Sequence, residues 1–174
     1  EPPTTIRGTE SPDGFVLRSK EGGEFQVKAA SGKQATRKIS AAAKFPVHGP
    51  WVVQFPSKWG APEQIRMEKL ESLSNSEIEG VRHFSGICIY QTSFQHEATN
   101  TSGVWKRYWL ELGRLEVMAE VSLNGQNVGT VWNRPARIEI TRALKPGKNE
   151  LRVRVANSWR NRMIGDSALP EDKR

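Results

Sequence analysis

Asn124 and Gly125 separate two runs of residues in which apolar and polar side chains alternate. Both residue types tolerate the positive φ that a type I′ turn requires, and Asn-Gly between such runs is the strongest short-range signal for a β-hairpin. Apolar residues occupy every second position before the turn: Leu115, Val117, Ala119, Val121 and Leu123. A period of two places them on one face of a strand and Met118 on the other. The pattern therefore predicts a hairpin with its tip at Asn124-Gly125 and residues 126–131 as the returning strand.

Short alternating or apolar runs between turn residues predict further strands at 14–20, 23–29, 51–55, 82–94, 107–112, 137–141 and 150–156. Glu21-Gly22 is the expected turn of a hairpin between the first two, and Pro146-Gly147 is the expected turn before the last. We expect 107–112 to pair with 82–94. Only residues 63–70 and 72–79 leave room for a short helix, because no segment shows sustained helical periodicity. The chain is therefore predicted to be all-β, with two packed antiparallel sheets that form a β-sandwich.

A chain of 174 residues can bury the core of one domain. The first thirteen residues are rich in Pro, Thr and charged side chains. We therefore predict a linker or arm at 1–13 and a single β-sandwich domain at 14–174. The chain begins at Glu1 and has no apolar run long enough for a signal peptide or a membrane span. We expect a mature form or a piece of a longer protein, favour the piece, and predict no membrane partner.

The basic residues concentrate near the C-terminal end. Residues 134–162 contain nine Lys or Arg and two Glu, an excess equal to the net charge of +7 of the whole chain. Arg152 and Arg154 share the outward face of a predicted strand, so this surface could meet a polyanion such as an acidic polysaccharide. The alternative, which we favour, is a solvated sheet face or one docked on an acidic partner domain. Nucleic acid is not a predicted partner, because no recognition motif is present and no aromatic residues interleave with the basic ones.

The sequence lacks the patterns that hydrolytic chemistry needs. Glycoside cleavage generally uses two carboxyl groups at a fixed separation. Glu116 and Glu120 alternate on one strand and would lie about 13 Å apart, too far for a retaining enzyme and long for an inverting one. No serine nucleophile motif, zinc motif, His or Cys cluster, or phosphate-binding glycine loop occurs. We therefore predict no catalytic residue in this segment.

Cys88 is the only cysteine, so no disulfide can form within the chain. It lies in the apolar run Ile87-Cys88-Ile89-Tyr90, where a lone thiol is expected to be a small buried hydrophobe. A reactive thiol is the alternative.

Seven segments carry a family resemblance: residues 51–55, 70–72, 84–90, 110–113, 119–125, 129–135 and 157–166. The last includes Asn161-Arg162-Met163-Ile164-Gly165-Asp166, which is fairly specific. Together they resemble the C-terminal β-sandwich of the large bacterial α-L-rhamnosidase-type glycoside hydrolases, and more loosely the sugar-binding domain of β-galactosidases and β-glucuronidases. The resemblance runs from about Trp51 to the C-terminus. Leu73 and Met163 depart from it, because the family usually has Trp and Leu at these positions.

The resemblance implies a galactose-binding-like jelly roll, attached to an upstream catalytic barrel of the same protein that holds the hydrolytic carboxylates. The parent protein would be a bacterial glycoside hydrolase that acts on rhamnose-containing plant polysaccharide in the extracellular space or the periplasm. No cofactor is predicted. A jelly roll can hold a structural calcium ion with backbone carbonyls, so the metal content is left open.

The candidate carbohydrate-binding residues are Trp132, Asn133 and Arg134. A sugar is held by an aromatic ring against its apolar face and by planar polar groups at its hydroxyls, and rim loops on a rigid scaffold often carry such sites. The alternative is that Trp132 packs at the end of the core and Arg134 pairs with a carboxylate. Trp105, beside Gly103 in a polar loop, is a further candidate.

Asn161, Arg162 and Asp166 are predicted to form a structural motif; the alternative is that they form a second binding site together with Trp159 and Arg160. An Arg162–Asp166 bond and backbone contacts of Asn161 would pin the C-terminal segment. Trp51 and Trp109 are expected in the core. The predicted function is that of a noncatalytic module that supports the catalytic barrel and contacts plant polysaccharide. The alternative is a purely structural or interdomain module without glycan affinity.

Overall fold

The computed structural model describes residues 7–11, 14–19, 21–28, 32, 34–97 and 107–171. The chain divides into two compact units, Glu1–Pro46 and Val47–Arg174. Their boundary lies inside the range that is predicted as a single domain. It falls close to Trp51, where the family resemblance begins.

The first unit contains two antiparallel strand pairs among its described residues. β1 (Arg7–Ser11) pairs with β2 (Gly14–Arg18), and β3 (Gly23–Lys28) pairs with β4 (Gln34–Ile39). Strands are present on both sides of Glu21-Gly22, but the predicted hairpin between them is wrong. Instead, β2 pairs with β1, and β3 pairs with β4. β1 lies within the segment that is predicted as a linker or arm. A turn signal shows where a chain can reverse, but not which neighbour a short strand selects.

The described part of the second unit contains eight strands: β5 (Trp51–Gln54), β6 (Gln64–Met67), β7 (Ile87–His96), β8 (Trp109–Glu111), β9 (Met118–Leu123), β10 (Gln126–Val131), β11 (Arg137–Glu139) and β12 (Gly147–Ala156). It also contains a 3-10 turn (Leu73–Asn75) and two helices, α1 (Glu79–Arg82) and α2 (Arg160–Ser167). Six strands form one sheet in the order β10-β9-β12-β7-β5-β6, and β8 and β11 form a second sheet. The pairings in both sheets are antiparallel, which confirms the predicted all-β architecture.

The main core lies between these two sheets. Its buried members come from both layers: Trp51, Leu110, Ala119, Val121, Leu123, Ile140, Leu151 and Val153. A second apolar cluster extends it toward α1 and the 3-10 turn: Val53, Phe55, Leu73, Val81, Phe84 and Cys88. Burial alternates along β9, where Met118 is 41% exposed while its neighbour Ala119 is fully buried. The predicted period of two is therefore the one that builds the galactose-binding-like sandwich.

The predicted hairpin at Asn124-Gly125 is confirmed. The φ angles of Asn124 and Gly125 are 55° and 79°, as a type I′ turn requires, and Leu123 pairs with Gln126. A bulge between Asn127 and Gly129 follows in β10.

One predicted strand pairing in the second unit is wrong. Residues 107–112 contain β8, but it pairs with β11 instead of β7, because Leu110 closes the core from the opposite layer. β7 lies between β12 and β5. Residues 63–70, where the sequence leaves room for a short helix, contain the edge strand β6, and its four residues are too few to show a reliable period.

The helix α2 is absent from the sequence predictions. It buries no residue, so it has no apolar stripe from which helical periodicity could be detected.

The core prediction holds for Trp51, which is 5% exposed, and is wrong for Trp109, which is 47% exposed. The guanidinium of Arg137 lies 5.1 Å from the centre of the Trp109 ring, which is a cation–π contact on the outer side of β8.

Candidate carbohydrate-binding sites

The loop between β10 and β11 carries the candidate residues Trp132, Asn133 and Arg134. All three are exposed, and Trp132 is 73% exposed. The loop leads from an edge strand of the large sheet to the small sheet, so it crosses the rim of the sandwich. Buried Val131 and Ala136 hold its two ends. Trp132 therefore does not pack at the end of the core.

Arg134 lines an open cavity of about 670 Å³ beside this loop. We call it the rim cavity, and its lining consists of residues from the small sheet, from the loop after β8 and from the loop before β11: Glu111, Gly113, Arg114, Arg134, Pro135, Ala136 and Arg137. A backbone hydrogen bond of 2.8 Å from the Leu112 nitrogen to the Ala136 oxygen joins its two sides.

The rim cavity is lined by three arginines and one carboxylate. Arg114 is paired with Glu116 at 2.8 Å, and Arg137 is stacked on Trp109. The side chains of Arg134 and Glu111 form no hydrogen bond or ion pair with any residue that the structure describes. Arg134 is therefore available to a ligand, and the arginine excess favours anionic groups.

The C-terminal helix α2 is fastened to residues 83–86. The Arg162 backbone nitrogen donates to Ser85 Oγ at 3.0 Å, and His83 Nδ1 lies 3.3 Å from the Asn161 carbonyl oxygen. Asn157 adds two bonds ahead of the helix, from its backbone nitrogen to the Gly86 oxygen at 2.8 Å and from Nδ2 to the Phe84 oxygen at 2.9 Å. The start of α2 is therefore held on a buried part of the chain.

Gly165 allows this close approach. A Cβ atom at Gly165 would lie 2.8 Å from Cγ of His83, so only glycine lets α2 rest on the imidazole ring. One turn earlier on the same helix, Arg162 Nε lies 2.8 Å from Asp166 Oδ1. This is the pairing expected from residues 161–166, which we call the tail motif, and Asn161 contributes its carbonyl oxygen. The structural role of Asn161, Arg162 and Asp166 stays a prediction.

A second cavity, of about 380 Å³, opens beside α2. We call it the tail cavity, and its lining combines two indole rings with charged and polar side chains: Lys58, Trp59, His83, Ser85, Trp159, Arg162, Met163 and Asp166. The tail motif therefore contributes to a concave surface as well as to the attachment of α2.

Sequence reasoning missed Lys58 and Trp59 as members of a site. A tryptophan within the turn-rich stretch Lys58-Trp59-Gly60 is a signal that could have indicated an exposed ring. Trp105 lies outside the described residues. Leu73, where the family usually has Trp, is 6% exposed and packs in the second apolar cluster.

Cys88 is buried in that same cluster, with 1% of its surface exposed. Loss of hydration on burial raises the pKa of its thiol to about 11. Burial also raises the pKa of the neighbouring Tyr90 hydroxyl. The burial confirms the prediction of a small buried hydrophobe. The alternative of a reactive thiol is not favoured, because a thiol without thiolate character is a poor nucleophile.

The described residues contain no group of three or more His, Cys, Asp or Glu that could hold a metal ion. In the same part of the chain, no helix is long and apolar enough to cross a membrane.

The two-layer antiparallel sandwich is that of a module of the galactose-binding-like class. Comparison with protein families agrees: residues 77–172 match the model of the glycosyl hydrolase 2 galactose-binding domain-like family. The chain belongs to this family, and the resemblance found in the sequence is confirmed.

Individual relatives are larger glycosidases. A Formosa agariphila protein named "Putative beta-glucuronidase" is 40% identical over 151 residues, which are 86% of this chain and 13% of that protein. The rhamnosidase from Novosphingobium sp. PP1Y superimposes with a TM-score of 0.65 at 27% identity, over 99% of this chain and 21% of its own. Bifidobacterium dentium β-glucuronidase, complexed with coumarin-3-O-glucuronide, gives a TM-score of 0.50 at 28% identity, over 64% of this chain and 20% of its own. The chain thus spans about a fifth or less of each relative.

Proposed function

We propose that the chain is a noncatalytic accessory module of a multidomain glycoside hydrolase, which supports a catalytic domain and contacts polysaccharide through the loop between β10 and β11. The observation that carries the proposal is the 73% exposure of Trp132 beside Asn133 and Arg134. An indole ring with planar polar neighbours, held on a rigid rim, matches the requirements of a sugar ring and its hydroxyls. The relatives are named as a rhamnosidase and β-glucuronidases, which supports a polymer that contains rhamnose or uronic acid.

The carboxylates of the cavities support binding without cleavage. Glu111 is the only carboxylate that lines the rim cavity, and Asp166 is the only one that lines the tail cavity, within the described chain. Asp166 is already engaged by Arg162. Hydrolysis with acid and base roles needs two carboxyl groups near one glycosidic bond, so the proposal assigns that chemistry to another domain. We further propose that the parent protein acts in the extracellular space or the periplasm, following the family resemblance.

Titration of the chain with rhamnose, galactose and pectic oligosaccharides, followed by calorimetry, tests the proposal. We expect binding of at least one glycan, and we expect Trp132→Ala and Arg134→Ala to weaken it about tenfold or more. Lys69→Ala is the control, because Lys69 is exposed and lines neither cavity. Release of product by the chain alone would contradict the noncatalytic role.

A second candidate is a purely structural interdomain module. It is favoured by an apolar row on the outer face of the large sheet, where Met118 pairs with Ala156 and Ala156 with Ile87. Met118 is 41% and Ile87 48% exposed, and such a row is suited to a neighbouring domain. The absence of any glycan binding in the titration, with the fold intact, would favour this candidate.

A further inference from the structure

The tail cavity contains two exposed indole rings. Trp159 is 66% exposed and Trp59 is 45% exposed. The ring of Trp59 packs against the ring of buried Phe84, with 6.4 Å between the two centroids. Its ring also lies over Gly86, where a Cβ atom would come within 3.0 Å of Trp59 Cζ3. Trp59 therefore offers a supported aromatic surface to a ligand.

The charged side chains of the cavity are held on the same framework. Arg162 is fixed at its backbone by Ser85 and at its Nε atom by Asp166. Among the described residues, neither its two Nη groups nor the Lys58 ammonium has a hydrogen-bond or ion-pair partner. Several N–H donors are therefore available in the lining of the cavity.

The balance of charge selects the kind of ligand. Lys58 and Arg162 are cationic and Asp166 is anionic, so, leaving His83 aside, the lining has one positive charge in excess. A ligand carboxylate would satisfy Lys58 and the Nη groups of Arg162 through charge-assisted hydrogen bonds. A neutral sugar would offer these donors only hydroxyl oxygens, without the opposite charge that makes the hydrogen bonds stronger.

We propose that the tail cavity binds a uronic acid unit of a polysaccharide. The apolar face of the pyranose ring packs against Trp59 and Trp159, and its carboxylate lies against Lys58 and Arg162. The oxygens of Asp166 that face the ligand accept hydrogen bonds from its hydroxyls. This inference rests on the proposed carbohydrate-contacting function, but it places the acidic sugar in a different cavity from the rim loop.

NMR titration of the whole 174-residue chain with digalacturonate tests this assignment. The indole N–H resonances are assigned with single tryptophan substitutions. We expect the resonances of Trp59 and Trp159 to shift, whether or not that of Trp132 shifts with them. Digalactose, the neutral counterpart, should bind about tenfold more weakly, and about 0.5 M NaCl should reduce only the affinity for the acidic sugar, because salt screens charge attraction.

The variants Lys58→Met and Trp159→Ala should each weaken digalacturonate binding about tenfold. Lys69→Met is the matched control for the lost charge, since Lys69 lines neither cavity. Trp159 is largely exposed, so its variant should fold, and circular dichroism checks this. Lys58→Met provides an independent test, because it leaves every ring of the cavity in place.

The possible outcomes separate this inference from the proposed function. Digalacturonate binding that is unaffected by both variants, or shifts confined to Trp132, would overturn the inference and leave a carbohydrate-binding rim loop. Equal affinity for the acidic and neutral disaccharides would also overturn it. No binding of any glycan would contradict both proposals.

Discussion

The side-chain nitrogen of Asn124 donates a hydrogen bond of 2.8 Å to the side-chain oxygen of Asn149. Asn149 is fully buried, and its oxygen also accepts from the Lys145 backbone nitrogen at 3.0 Å. Its own Nδ2 donates to the carbonyl oxygens of Lys145 and Gly147, at 2.7 and 2.9 Å. The tip of the β9–β10 hairpin is therefore tied to the turn before β12 through one satisfied buried amide.

Replacement of Asn149 by Ala should lower the free energy of unfolding by about 2–4 kcal/mol. The change removes four hydrogen bonds and leaves three backbone groups of Lys145 and Gly147 without their side-chain partner. Urea unfolding measures the loss. Asn127→Ala is the control, because Asn127 is exposed and makes one 3.1 Å bond to Glu120, so its cost should stay within about 0.5 kcal/mol. Equal effects of the two variants would show that the buried amide does not stabilise the hairpin tip.

Replacement by Ala should lower the stability strongly at Trp51 and hardly at all at Trp132. Trp51 is 5% exposed in the main core, and its loss should cost about 3–5 kcal/mol of stability. Trp132 is 73% exposed, so its loss should change stability by no more than about 0.5 kcal/mol. Thermal unfolding of both variants is the measurement. A large destabilisation by Trp132→Ala would argue against a ring that is free to bind a ligand.

Gly165→Ala should destabilise the attachment of α2 by about 1–3 kcal/mol, because the added methyl overlaps the His83 ring. Helix propensity alone would give the opposite sign, a gain of about 1 kcal/mol. Urea unfolding and the NMR signals of α2 report the effect. In a His83→Ala background the penalty should shrink, since the nearest ring atom is removed. A stabilising effect in the native background would mean that α2 does not rest on His83.

The Cys88 thiol should not react with a disulfide reagent at pH 8 while the protein is folded. Its pKa of about 11 leaves only about one thiolate in a thousand at that pH, and its burial blocks access. Absorbance at a fixed reagent concentration follows the reaction, and addition of urea should release one fast thiol. Rapid reaction without denaturant would contradict the burial of Cys88.

The raised pKa of Cys88 also makes the free energy of unfolding depend on pH. The folded state holds the proton more tightly than the unfolded state, whose thiol has a pKa near 9.0. The contribution is therefore fully present below pH 9 and is lost as the pH rises toward 11. Cys88→Ala should flatten this part of the dependence of unfolding free energy on pH, which chemical denaturation at a series of pH values can measure. An unchanged slope would show that Cys88 is not its source.

Local pattern was sufficient for much of the sandwich. Period-two alternation identified β9, β10 and most of β12, and Asn-Gly identified the turn, because burial of one strand face and the φ of a turn residue are properties of a few adjacent residues. The buried state of Cys88 followed from its apolar neighbours. The segments from Trp51 onward also identified the family, which the comparison with protein families confirmed.

Pairing and the cavities were decided by the tertiary structure. Alternation shows which face of β8 is buried, but not that β11 lies beside it. The helix α2 is held by hydrogen bonds and by the close contact at Gly165, so it needs no apolar stripe that a sequence pattern could reveal. The tail cavity joins Lys58 and Trp59 to residues 83–85 and 159–166, so no short segment of sequence contains it. The sequence by itself determined the strands, the turn and the family, because these depend on neighbours in the chain. Only the folded chain determined the sites, because their residues are distant in sequence and meet through packing.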